Sequence, residues 1–360
     1  MIGPSVEDRD WPGAAFHIQL PGIELPFYRE FKACLPHLGR DDRGTLDAFE
    51  PDLVHLATEA LVGLVGRSWA RSARVPTVSS YCTNFPDYMA GYRMGLLEGP
   101  VWSHLRRFHE SAVLSFCPSE ATRSELMKRG FHDRFRIWGR GVDSRLFHPA
   151  KRSDDLRRSL APGADLILLY VGRIAPEKRL DLLLDAMPHL QARTPQRLAL
   201  VLVGGGPAVE GLAAREVDGV HFAGYRSGED LAAHYASSDL FLFPSDTETF
   251  GQVVTEAMAS GLPVVAPARG GVVETVRTNE TGILFEPGSV EDLVERALPL
   301  IEDGALRNRL GIEARNAAEG RGWHSVFDQL FADYEDAVHG WNAPVTRQLR
   351  DRTTATAILE

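Results

Sequence analysis

The sequence predicts two doubly wound α/β domains arranged in tandem, on three observations. Its 360 residues exceed what a single hydrophobic core ordinarily organises. From Asp165 onward, short runs of Val, Leu and Ile alternate with longer amphipathic stretches. Residues 1–145 carry a weaker form of the same alternation. A composition of 44% hydrophobic and 24% charged residues is that of a folded chain, not a disordered one. The formal net charge of -10 argues against general nucleic-acid binding, so any anionic ligand must be met by local cations.

The elements follow in order. MIGPSVEDRD has no basic region leading into an apolar one, and no run of about 18 apolar residues occurs, so a cytoplasmic protein is expected. The opening also lacks the strand, glycine-rich turn and helix with which a doubly wound domain begins. MIGPS instead resembles the end of a second strand, and a start lying about forty residues upstream is the expectation. PDLVHLA and VPTVSSY read as strands with the helix LVGLVGRSWARSAR between them. SAVLSFCPS reads as a later strand, with Ser119 capping the helix that follows. GVDSRLFHPAKRSDDLRR has a proline, mixed charge and no apolar period, and is the expected interdomain connection.

Beyond it, LILLYV, LALVLV, VHFAG, LFLFP, PVVAP and GILFE are apolar on both faces, as strands of a covered parallel sheet must be. SVFDQLFADYEDAVHGW places Val326, Phe327, Leu330, Phe331, Tyr334 and Val338 at helical spacing. The domains are expected at 1–145 and 146–340, with 341–360 a poorly ordered tail.

Ligands of such sheets lie at the carboxyl ends of the strands. Arg173 and Lys178, in GRIAPEK just past LILLYV, suit a diphosphate, because Arg grips two oxygens in plane while Lys supplies a mobile charge. The alternative is a pair of solvated loop charges. Glu248 and Glu256 flank the start of a small, apolar helix in PSDTETFGQVVTEAMASGLPVV. An inward Glu256 needs a partner, and a ribose diol would supply two hydroxyl donors. Gly251 lets the helix N-terminus approach phosphate closely.

GRIAPEK, GGGP and ETFGQVVTE followed by AMASGLPVVA resemble, over residues 140–340, the donor domain of retaining glycosyltransferases of family 4. LPGIELPFYREFKACLP, PDLVHLATEALVGL, VPTVSSYCTNFPDYMAGY and GVDSRLFHP are similar to its branch of GDP-mannose-dependent α-mannosyltransferases and sulfoquinovosyl-diacylglycerol synthases. The resemblance implies the GT-B fold, two Rossmann-like domains facing a cleft; this sequence departs from it in a first domain short of its first strand and helix. It implies Arg173, Lys178 and Glu248 as catalytic residues. Gly172, Gly205, Phe250, Gly251, Gln252 and Glu256 are implied donor contacts, and Gly224, Tyr225 and Arg226 part of the base pocket. Tyr81, Cys82 and Thr83 would face the acceptor, Cys82 standing where the branch has His.

The implied reaction moves a hexosyl group, mannosyl favoured, from a nucleotide sugar to a lipid or glycan acceptor. GDP-mannose is favoured over a UDP-sugar, with no metal and no further cofactor. Two other readings stay open: a noncatalytic nucleotide-sugar-binding protein, and a non-hydrolysing nucleotide-sugar epimerase. Cys34, Cys82 and Cys117 have no metal spacing, nor do His104, His109, His132 and His148. Asp8 and Asp10 form a DxD read as surface charge, and Val209 interrupts a GxGxxG. Arg106, Arg107, Lys128, Arg129, Arg134 and Arg136 form a basic stretch, either a solvated face or a peripheral contact with anionic lipid.

Overall fold

The structure, a computed structural model, describes residues 1–4, 14, 16–25, 28–34, 37–82 and 98–342. Asp8, Asp10, Thr83 and the tail beyond Asn342 lie outside the described residues.

In the first half, β1 (Ile2–Pro4) pairs in parallel with β2 (Ile18–Leu20), and β3 (Gly22–Leu25) pairs antiparallel with β4 (Tyr28–Cys34). Helix α1 (Arg40–Phe49) follows. Then β5 (Val54–Leu56), β6 (Thr77–Ser80), β7 (Leu114–Cys117) and β8 (Phe135–Ile137) form a four-stranded parallel sheet in sequential order. Helices α2 (Leu61–Ala73), α3 (Glu98–Glu110) and α4 (Glu120–Lys128) connect or flank these strands. The Ser119 side chain accepts the Thr122 N–H at 3.2 Å, the expected cap.

The connecting segment is more ordered than its lack of period suggests, because Ser153 caps a short helix α5 (Asp154–Leu160) with two aspartates in its first turn. Strand β9 (Leu166–Val171) opens the second sheet, followed by β10 (Leu198–Val203), β11 (Val220–Gly224), β12 (Leu240–Leu242), β13 (Val264–Pro267) and β14 (Gly282–Phe285). All pair in parallel in the order β11-β10-β9-β12-β13-β14. Every residue of β9 and β10 is buried, which is why both strands read as unbroken apolar runs. Helices α6 (Leu180–Arg193), α7 (Val209–Ala213), α8 (Gly228–Ala236), α9 (Gln252–Ala259), α10 (Val290–Glu302) and α11 (Gly304–Glu319) belong to this half.

The chain leaves β9 toward β10 on one side and starts β12 on the other. Strand order therefore reverses between β9 and β12, opening a crevice at their carboxyl ends. Helix α12 (Trp323–Asn342) returns to the first sheet, where Leu330 and Ala337 pack with Val78, Leu114 and Phe116. Its buried stripe is not the one its sequence suggests. Phe327 and Phe331 are exposed, whereas Asp333 is buried because it pairs with Arg136 of β8.

Candidate active site

Arg173 and Lys178 follow β9, while Glu248, Phe250 and Gly251 follow β12, so the reversal point gathers all five. Lys178 Nζ donates to Glu248 Oε2 at 2.7 Å, and both side chains are largely buried. This pair bridges the two strand ends across the crevice. The Arg173 carbonyl accepts the Tyr170 hydroxyl at 2.9 Å, tying the loop to the fully buried end of β9. Burial raises the Tyr170 phenol above its ordinary range, with the nearby carboxylates of Glu248 and Glu177 adding to it, so it serves as a neutral donor.

The turn after β10 presses against this loop. A Cβ on Gly204 would sit 1.9 Å from the Gly172 carbonyl oxygen, whereas one on Gly205 would meet open space. The glycine at 204 is thus a packing requirement, whereas Gly205 stands open.

Gly251 has φ 85 and stands at the N-cap of α9, so the chain turns sharply and directs the first helical N–H groups back toward the crevice. One turn on, Glu256 accepts the Tyr235 hydroxyl at 3.0 Å. Burial pushes the Glu256 carboxyl up to about 7, against the lowering effect of hydrogen bonds from Tyr235 and Gln252. The inward glutamate thus accepts from two protein donors and keeps lone pairs for more. Tyr225 is 76% exposed at the end of β11, and Arg226 beside it pairs with Asp230 at 3.2 Å.

The first domain meets this crevice through Cys82, whose carbonyl accepts the Thr249 hydroxyl at 3.3 Å. Gln252 Nε2 likewise donates to the Gly141 carbonyl at 3.0 Å. Tyr81 is buried with Trp102 and Phe131, so its ring belongs to the core of the first domain. The Cys82 thiol is raised by burial, opposed by Arg140, whose Nη2 lies 3.4 Å from Sγ.

Two neighbours escaped the sequence reading. His55 bonds Ser80 Oγ at 2.6 Å through Nε2 and Tyr334 at 2.5 Å through Nδ1, and burial with the Arg140 charge pushes it down to about 4. Its only sequence signal was a polar residue inside the strand LVHLA. Arg140 stands just before the segment read as the interdomain connection and gave none.

The histidines set aside as structural have protein partners. His109 lies in a buried chain with Glu59 and Ser79, Ser79 bonds Ser115, and Ser115 bonds His132. Among the described residues no cluster of potential metal ligands occurs. Much of the basic stretch is also committed locally: Arg129 pairs with Glu125, Arg134 with Glu110 and Arg136 with Asp333 and Asp336. No helix among the described residues is long and apolar enough to cross a membrane.

Comparison with known proteins fits this geometry. Residues 151–317 match the family model "Glycosyl transferases group 1", and residues 4–146 match "Glycosyltransferase Family 4". The chain is 38% identical over 296 residues to the GDP-mannose-dependent alpha-mannosyltransferase of Mycobacterium tuberculosis (strain CDC 1551 / Oshkosh), covering 82% of this chain and 75% of that protein. The chain belongs to the family 4 glycosyltransferases. This transferase is also 36% identical to the sulfoquinovosyl transferase SQD2 of Arabidopsis thaliana, over 81% of its own length and 58% of the relative's. The fold is that of the sucrose-phosphate synthase of Thermosynechococcus elongatus, with a TM-score of 0.73, 23% identity, and coverage of 94% of this chain and 89% of that one. Anabaena HepE, crystallised with UDP and glucose, aligns with a TM-score of 0.69 and 23% identity, over 89% and 86% of the two chains. The transferase is therefore a GT-B enzyme that moves a glycosyl group from a nucleotide sugar.

Proposed function

We propose that the transferase moves a mannosyl group from GDP-mannose, with retention of configuration, to a hydroxyl of a lipid or glycan acceptor. The observation that carries this is the Lys178–Glu248 pair spanning the reversal point, with Glu256 one helical turn beyond. A diphosphate entering the crevice would draw Lys178 and Arg173 to its oxygens and leave Glu248 for the sugar hydroxyls. Glu256 would accept both ribose hydroxyls, and Tyr225 would offer the base a ring to stack on. The relatives named GDP-mannose-dependent alpha-mannosyltransferases support the choice of donor.

As the bond between the anomeric carbon and the diphosphate breaks, negative charge grows on the leaving oxygen. Arg173, Lys178 and the N–H groups at the start of α9 stabilise that charge more in the transition state than in the ground state. The acceptor oxygen bonds the anomeric carbon on the face that the diphosphate leaves, and its proton passes to a phosphate oxygen. Closure of the cleft, with Cys82 against Thr249, keeps water from taking the acceptor's place.

Incubating the protein with GDP-mannose and either total polar lipid or oligosaccharide tests this by product analysis. An α-linked mannoside is expected, with its anomeric configuration read by proton NMR. Donor binding without product, or an epimerised nucleotide sugar in the absence of any acceptor, would replace the proposal with one of the two other readings.

A further inference from the structure

A cavity of ≈ 300 Å³ opens between the domains, with Arg140, Trp138 and Ser119 on one wall and Phe250, Arg321 and Glu274 on the other. Its charge is unbalanced. The Glu274 carboxylate is engaged by the backbone N–H groups of Glu120 and Ala121, at 3.0 and 2.7 Å. Among the described residues the Arg321 side chain donates to neutral groups, the Thr275 hydroxyl and the Glu274 carbonyl. Arg140 has no carboxylate within 4.0 Å among the described residues, and its side-chain contacts are the Cys82 thiol and the Trp138 ring, 4.9 Å from the guanidinium carbon. A guanidinium laid over an indole and bonded to a thiol keeps most of its five donors for a ligand.

We propose that Arg140 is the centre of an anion subsite on the acceptor side of the cleft, which takes a phosphate-ester group of the acceptor. The subsite deepens the functional reading above, because a ligand anchored at Arg140 lies beside Cys82 and the Thr249–Phe250 loop, where the acceptor hydroxyl must meet the donor sugar. A planar, fully ionised fork suits a tetrahedral oxyanion, and the half-buried setting strengthens the attraction over that in open water. The charges felt at Cys82 are the Arg140 guanidinium and, more weakly, the Glu59 carboxylate.

Cys82 itself reports on the subsite, since it is half-exposed while Cys34 and Cys117 are buried. Iodoacetate and iodoacetamide alkylate the same thiolate with loss of iodide, so the ratio of their rates cancels thiol pKa and access and reads local charge. Peptide mapping should show the ratio at Cys82 exceeding that of free glutathione by about threefold to tenfold, given the attraction of a guanidinium 3.4 Å from the thiol. Arg140→Gln should bring it back to the glutathione value, and Arg140→Lys should keep most of it. A ratio at Cys82 no higher than that of glutathione, or one unmoved by Arg140→Gln, overturns the subsite.

The wild-type protein supplies a test that needs no variant. Glycerol 3-phosphate or vesicles of phosphatidylglycerol should slow alkylation of Cys82 by iodoacetamide. Protection by the soluble ester alone points to a soluble acceptor and protection by the vesicles to a lipid headgroup; protection by neither overturns the proposal. Failure of GDP-mannose to bind would refute the donor reading while leaving the alkylation ratio intact, so the two failures are distinguishable.

Discussion

Glu256 holds the sharpest conflict between stability and function. Its carboxyl titrates near 7 in the folded protein, above its ordinary value, because burial disfavours the charge. A raised folded pKa gives stability that is complete below the unfolded pKa and is lost as pH rises through about 7. Glu256→Gln should therefore stabilise the unliganded protein by about 3 kcal/mol at pH 8 and by almost nothing at pH 4. Thermal melts at the two pH values check this. The same substitution should weaken donor binding, since a neutral amide offers one acceptor atom to a diol. In the wild type, donor affinity should fall by up to about twentyfold between pH 7.5 and 5.5 as the carboxylate protonates; a flat calorimetric profile would dissociate Glu256 from the ribose. Lys178→Met should lower kcat for transfer by about a hundredfold or more, the scale for removing one group that meets charge developing in a transition state. Steady-state kinetics with saturating donor would measure it.

Among the elements, the β12–α9 turn and α12 carry the design. Gly251→Ala forces a Cβ onto a residue at φ 85, and should cost about 1 kcal/mol and turn the α9 N-terminus away from phosphate. Weakened donor binding with a small drop in melting temperature is the expected pair of readings. Helix α12 is latched by Arg136 to Asp333 and by Tyr334 to His55. Arg136→Ala leaves a buried carboxylate with Gln329 as its side-chain partner, and should cost about 1–3 kcal/mol. Hydrogen exchange should then rise along residues 323–342 and not in β9 or β10.

The elements differ in how much of them is legible in the sequence. LILLYV and LALVLV coincide with β9 and β10, because strands buried on both faces announce themselves residue by residue. The α12 stripe was misread at Phe331, which is 58% exposed, because the helix is turned by a partner 197 residues away. His55 and Arg140 were missed for a related reason: their importance lies in Tyr334, Ser80 and Cys82, which the fold brings to them. Helix α5 had a signal in Ser153 and the two aspartates after it, but it was outweighed by the missing apolar period.

Across the whole molecule, two sheets meet over a crevice whose two sides touch, among the described residues, at few polar points. Thr249 to Cys82, Gln252 to Gly141, and Glu274 to the N-terminus of α4 join the domains near the crevice. The backbone bond from the Val142 N–H to the Arg321 carbonyl lies where the chain crosses between the domains and returns. Such sparse polar contacts suit a cleft that must open to exchange substrates. The β9–β12 reversal point is the proposed seat of the GDP-linked sugar. Calorimetric titration of the protein with GDP-mannose and with UDP-glucose, repeated on Glu256→Ala and Arg173→Ala, tests it most directly. GDP-mannose is expected to bind, and both substitutions to weaken it at least tenfold, the effect of losing a buried charge-assisted contact. Binding of GDP-mannose unchanged by both substitutions would contradict it.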